Sequence, residues 1–171
     1  MSDRRLYALT LHRPWTDAIF AWPGKHAKRI ENRTWYRASL VGHYFAIHAG
    51  KRYDRDGAAM VTEFAEGVAE QRPEFTWRCP GPAESPEGIV GIARLCGVVD
   101  AGEDGEPHLI AGERGGFSWG EWWMGGIGWL LDDVTAIEPV ACKGAQGLWV
   151  VPPDAADKVH RRWRAARTEA A

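Results

Sequence analysis

Between Gly24 and Arg37 the chain reads GKHAKRIENRTWYR: Lys25, Lys28, Arg29, Arg33 and Arg37 crowd around one acid, Glu31, and two aromatics, Trp35 and Tyr36. The alternation of RIENRTWYR predicts a strand with Arg29, Glu31, Arg33, Trp35 and Arg37 on one face and Ile30, Asn32, Thr34 and Tyr36 on the other. Two arrangements fit the charged face. One is a cross-strand ladder of ion pairs in solvent. The other is a cleft wall, where the cations hold phosphate, Glu31 accepts from a base edge or positions an arginine, and Trp35 stacks. A carboxylate ringed by cations stays ionised, so Glu31 could also act as a general base.

Other chemistries find little footing. The six histidines (12, 26, 43, 48, 108 and 160) include no i, i+4 pair with a third ligand nearby. His43 and His48 lie five apart on a strand and face opposite ways. Gly24-Lys25 lacks the upstream glycine and the following Ser/Thr of a phosphate loop, and no GxSxG occurs. No metal and no cofactor is expected. Three isolated cysteines without a CxxC argue against disulfides or cysteine-held zinc, and the expected compartment is a reducing cytoplasm.

The elements that must position these residues follow from periodicity. LYALTL, 6–11, predicts a strand. Pro14 opens a helix whose apolar stripe is Trp15, Ala18, Ile19 and Trp22, stopped by Pro23-Gly24. HYFAIHA, 43–49, predicts another strand. A second helix follows Asp54, with Met60, Val61, Phe64, Ala65 and Val68 inward. Prolines at 73, 80, 82 and 86 mark a loop. GIVGIARLCGVV, 88–99, apolar on both faces, predicts a central strand with a bend near Gly91. The acidic stretch 100–121 reads as a second loop. GIGWLL, TAIEPVAC and GLWVV read as three more strands, and the tail as a helix capped by Asp154 with Val159 and Trp163 inward. The order gives no regular βαβ alternation. It predicts an α+β domain over residues 1–151, a small barrel or half-barrel of mixed, strongly bent sheet with helices outside, and a basic helix over 152–171 packed on the same domain.

A chain of 171 residues most simply forms one domain. No apolar run approaches a membrane span, and MSDRRLYALTLHRPW has no apolar h-region, so neither a membrane segment nor a signal peptide is expected. A net charge of −2 excludes coating duplex DNA by bulk charge, so any nucleic-acid role rests on local patches at 24–37 and 158–167. Ten tryptophans are more than a small core comfortably places, and a few are expected on a surface or in a cleft.

Five segments, in order, resemble one family. TLHRPWTDAI resembles its S-x-x-x-PW-x-x-x-I opening. KRIENRTW is similar to its K-x-IE-x-R-x-W signature, and GHYFAIHAGK to its G-x-x-x-IHA-x-K strand. GIVGIARLCGVV resembles its central strand, and VACKGAQGLWVV its closing KG-x-x-x-LW. This is the ASCH domain, named for homology to an activating-signal cointegrator, in the PUA-like superfamily of β-barrels with YTH and EVE relatives. The resemblance implies a PUA-like barrel with a pocket between barrel and first helix that takes RNA or a modified base. Matched by motif, Trp15, Lys28, Glu31, Arg33, Trp35 and His48 would line it, with Lys51 at the rim and Lys143 as the closing lysine. Some small members resemble amidohydrolases acting on acylated cytidine through a Lys, a Thr three residues later and a strand Glu. Here Lys28 matches the Lys, position 31 is Glu, and the central strand carries no Glu. Nuclease activity is also reported in the family.

The expected function is therefore binding of single-stranded RNA or DNA, or of a flipped nucleotide, modified or not, by a monomer. Phosphate contacts are expected from Arg29, Arg37, Arg161, Arg162 and Arg164. Two alternatives stand beside it. One is a metal-independent hydrolase or nuclease using Lys28 and Glu31. The other is a small-ligand or protein-interaction module using the Trp-rich stretch 117–126.

Overall fold

The apolar alternation after Arg5 becomes strand β1, Tyr7–Arg13, in a computed structural model that describes residues 5–116 and 118–170. Ala8, Leu9 and Leu11 are buried. β1 pairs in parallel with β3, Tyr44–Tyr53, placing Thr10 opposite His48. It pairs antiparallel with β7, Leu148–Val150, placing Ala8 opposite Trp149. The central strand β4, Gly88–Ala101, lies between β3 and β6, Ile127–Val140. β2, Ile30–Arg33, closes the far side on β6. The sheet order is β2-β6-β4-β3-β1-β7, with β5, Pro107–Gly112, attached to the end of β4. The fold is α+β: a curled, mixed sheet forming a half-barrel with three α-helices.

The expected irregularity in β4 is present. Register shifts fall at Gly91 against both neighbouring strands. A Cβ there would lie 2.1 Å from the Phe20 ring, so only glycine lets the helix α1, Trp15–Phe20, seat on the sheet. Elsewhere the tertiary structure departs from the periodicity. GIGWLL and TAIEPVAC form one long strand, bent at Asp133 (φ 43°), because β4 is long enough to pair with both halves across bulges. The acidic loop contains β5, whose Leu109 and Ile110 stay exposed. With no buried face, the strand left no alternation to read. β2 ends at Arg33, so Trp35 and Arg37 leave the alternation.

Helix α2, Arg55–Gln71, is capped by Asp54, whose Oδ1 accepts from Gly57 N at 2.9 Å. Its inner face is Gly57, Val61 and Ala65, with Phe64 and Val68 partly covered, while Met60 is exposed rather than inward. Helix α3, Pro153–Glu169, starts after Pro152. Asp154 thus sits inside the first turn and caps nothing; proline at N1 takes that place. Val159 is fully buried, and Trp163 lies 5.0 Å from Tyr44. Among the described residues no helix is long and apolar enough to cross a membrane.

None of the ten tryptophans stands open to solvent. Trp22, Trp119, Trp122 and Trp129 are core residues. Trp22 alone contacts Phe75, Trp77 and Trp122. Trp119 and Trp122 of the Trp-rich stretch therefore pack into the cluster that includes Val61 and Ala65 of α2; the stretch's first residue, Phe117, lies outside the described residues, as do residues 1–4 of the opening segment.

Candidate functional site

The cationic stretch folds inward. Lys28 is 2% exposed, and its Nζ donates to Ile30 O at 2.6 Å and to Glu31 Oε2 at 2.7 Å. The ammonium lies 5.6 Å from the centre of the Trp15 ring. On Glu31's other oxygen, Arg33 Nε approaches to 3.4 Å, and Arg33 Nη2 donates to Thr10 O at 3.2 Å. Trp15 Nε1 donates to Asp54 Oδ2 at 2.9 Å. Trp15, Lys28, Glu31 and Arg33 thus converge as expected, but as a network joining β2, β1, α1 and α2, not as free groups lining a groove.

Three neighbours have other duties. Arg29 Nη1 donates to the carbonyls of Ile19 and Lys28, and burial pushes its pKa down. It holds the end of α1 through this one nitrogen. Trp35 meets Trp129 edge-on at 5.1 Å and accepts from its Nε1 through the backbone, so it belongs to the core. Arg37 is exposed over the Tyr7 ring.

The other three motif residues, His48, Lys51 and Lys143, meet at a cavity of about 700 Å³. It opens between the ends of β1 and β3 and the segment 141–146, and α1 does not line it. Thr10 joins the two clusters. Its carbonyl takes Arg33, and its side chain lines the cavity while accepting from Trp149 Nε1 at 3.1 Å. Lys51 and Lys143 are exposed at the rim, with Glu87 beside them.

His48 is 5% exposed. Its Nε2 lies 2.8 Å from Cys142 O; a carbonyl can only accept, so Nε2 carries the hydrogen. In the neutral ring Nδ1 is then an acceptor; among the described residues it has no hydrogen-bond partner, and the atom itself is sealed from solvent beneath Gly144. Burial pushes the His48 pKa below its ordinary 6.5, partly offset by the Cys142 carbonyl and Glu87. The ring stays neutral at neutral pH. A Cβ at position 144 would lie 2.6 Å from Nδ1 and 2.8 Å from Thr10 Oγ1, so glycine is what lets segment 141–146 lie against the histidine. Gly144→Ala is expected to cost about 1–3 kcal/mol through overpacking and to reshape the cavity wall. A denaturation midpoint unchanged from the wild type would contradict that close fit.

Sequence reasoning missed Arg13, although it stands in the quoted HRPW. It is 5% exposed and its guanidinium donates to Gly50 O, Lys51 O, Pro82 O and Ser85 O at 2.7–2.9 Å, with Glu87 at 3.2 Å. Nothing local distinguishes it from a surface arginine; its acceptors lie 37 to 72 residues away. Ser85 Oγ also donates to the buried Asp17 carboxylate, whose pKa burial raises. Arg13 and Asp17 together fix the loop before β4, and with it two cavity walls, Lys51 and Glu87. Among the described residues no group of three His, Cys, Asp or Glu side chains is placed to hold a metal.

A comparison with protein-family models and with curated proteins finds no match for this chain.

Proposed function

We propose that the protein is an ASCH-type, PUA-like domain that binds a single-stranded or flipped-out nucleotide in the cavity walled by Thr10, His48, Lys51 and Lys143. The observation that carries this reading is the cavity of about 700 Å³ walled by the neutral His48 ring and set below two exposed rim ammonium groups, Lys51 and Lys143. A nucleotide fits both features: a planar base for the cavity, and phosphate for lysine. A cavity of about 700 Å³ falls in the range of small-ligand sites. The rim cations are local while the whole chain is slightly acidic, which favours a strand or a single nucleotide over duplex. Hydrolysis through Lys28 and Glu31 has less support, because Lys28 is sealed from solvent and bonded to Glu31.

Calorimetric titration with nucleoside monophosphates, methylated and acylated nucleosides and short RNA and DNA strands, scored also for product, tests the reading. Lys143→Ala is expected to weaken binding about tenfold, one lost charge-assisted contact, and His48→Phe to weaken it by releasing the Cys142 tether and reshaping the cavity wall. Affinity is expected to hold flat as pH falls through 6.5 and to drop only below it, because protonation at the lowered His48 pKa puts a charge into the buried wall of the cavity. Product formed by the wild type and lost in Glu31→Gln would replace the binding reading with the hydrolase one. Affinity indifferent to both cavity substitutions would end the cavity reading.

A further inference from the structure

Helix α3 divides its arginines between two sides. Arg162 Nη1 donates to the carbonyls of Glu138 and Pro139, and Arg167 pairs with Asp133 at 2.7 Å, so these two fasten the helix to β6. Arg161 and Arg164 instead line a second cavity, of about 760 Å³, between α3 and the β1–β7 edge. Both are exposed, and among the described residues neither side chain makes an ion pair or hydrogen bond. His160 and Asp157 share this groove, whose floor is Leu6, Val150 and Val151.

The groove and the His48 cavity lie at opposite ends of one exposed strand. β7 is the last strand of the sheet, and Val150 is 45% exposed. Val151 N donates to Leu6 O, so in this antiparallel pair the backbone groups of Trp149 face β1 and those of Leu148 and Val150 face outward. Gln146 lines the cavity and Val150 lines the groove. The bend at Gln146–Gly147 and the three residues of β7, about 10 Å of extended chain, separate them.

We infer that a single strand of nucleic acid runs along the β7 edge, with one nucleotide in the His48 cavity and the phosphodiester chain continuing to Arg161 and Arg164. This rests on the nucleotide reading of the cavity. Guanidinium groups without internal partners suit phosphate oxygens, and they add affinity without reading sequence. The outward N–H and C=O groups of Leu148 and Val150 offer hydrogen bonds to whatever base lies between.

The test compares a mononucleotide with RNA and DNA hexanucleotides, measured by fluorescence anisotropy over a salt series, in the wild type, Arg161→Ala/Arg164→Ala and Lys143→Ala. Both α3 side chains are exposed, so the double variant keeps its fold. The wild type is expected to bind the hexanucleotide at least about tenfold more tightly than the mononucleotide. The double substitution should remove that advantage and flatten the log–log salt slope by about 1.4, roughly 0.7 for each of two phosphates, while mononucleotide binding is unchanged. Hexanucleotide affinity and slope indifferent to the double substitution would overturn the edge path, even with mononucleotide binding still dependent on Lys143. Hexanucleotide binding that needs Arg161 and Arg164 but not Lys143 would uphold the groove and remove the cavity reading instead.

Discussion

Replacing Arg13 with alanine is expected to destabilise the protein by about 3–5 kcal/mol, among the largest effects available to a single substitution here. Four carbonyls from two segments, Gly50 and Lys51 on β3 and Pro82 and Ser85 in the loop before β4, would lose their donor together. Each carbonyl left without a partner costs on the order of 1 kcal/mol or more, and water entering the gap recovers part of it. The Glu87 contact adds little, since that carboxylate is half exposed. Arg13→Lys is expected to rescue only a fraction, because an ammonium cannot reach a fork of acceptors set by a planar guanidinium. Chemical denaturation with an unchanged m-value measures the loss. Ligand affinity should fall as well, because Lys51 and Glu87 are held in place by this one side chain. A loss under about 1 kcal/mol would mean that the loop before β4 is fastened by something other than Arg13.

The second large effect is expected at Glu31. Glu31→Leu leaves the Lys28 ammonium 2% exposed with one carbonyl, Ile30 O, and the face of Trp15 as its remaining partners. Removing one member of a buried ion pair costs about 3–5 kcal/mol, because the remaining charge cannot be hydrated. Arg33 loses its carboxylate at the same time, although it keeps Thr10 O. The double variant Lys28→Met/Glu31→Leu is expected to recover most of the loss, since an apolar pair of similar volume needs no compensation. A thermodynamic cycle over the two single variants and the double reports the coupling directly. If Glu31→Leu proved nearly silent, Lys28 would have to reach water, and the hydrolase reading would regain the open pair it requires. The same substitutions thus measure stability and discriminate between binding and turnover.

Much of the framework was legible in the chain because it rests on near neighbours. The stripe Ala18, Ile19 and Trp22 is buried where the helical period put it. The alternation of 6–11 and 43–49 and the apolar run 88–99 became β1, β3 and β4, and the bend at Gly91 was visible as a lone glycine in a strand. Strand β5 and the continuous β6 were not visible. Both exist because β4 is long enough to pair with them, and pairing partners are not written into a local pattern. The surplus of tryptophan pointed to a surface or a cleft: Trp163 lines the groove beside α3 and Trp77 a cleft beside α2, while Trp22, Trp119, Trp122 and Trp129 fill the core.

At the candidate site, sequence by itself determined the residue types: a Lys-x-x-Glu-x-Arg cluster at 28–33, a histidine three places after Phe45, and a lysine-glycine pair before the closing strand. Which of these charges meet each other and which face a ligand was decided by tertiary structure alone. The parallel pairing of β1 with β3 sets Thr10 beside His48, and the return of the chain through 141–146 brings Cys142 and Lys143 across 94 residues to the same histidine. That return also places a carbonyl on His48 Nε2 and so selects its tautomer. The curl of the sheet turns Lys28 and Arg29 inward although both lie in the most basic stretch of the chain. The physical reason is range: helix and strand propensities act over a few residues, while desolvation, ion pairing and hydrogen-bond direction depend on groups that only the folded chain brings within a few ångströms.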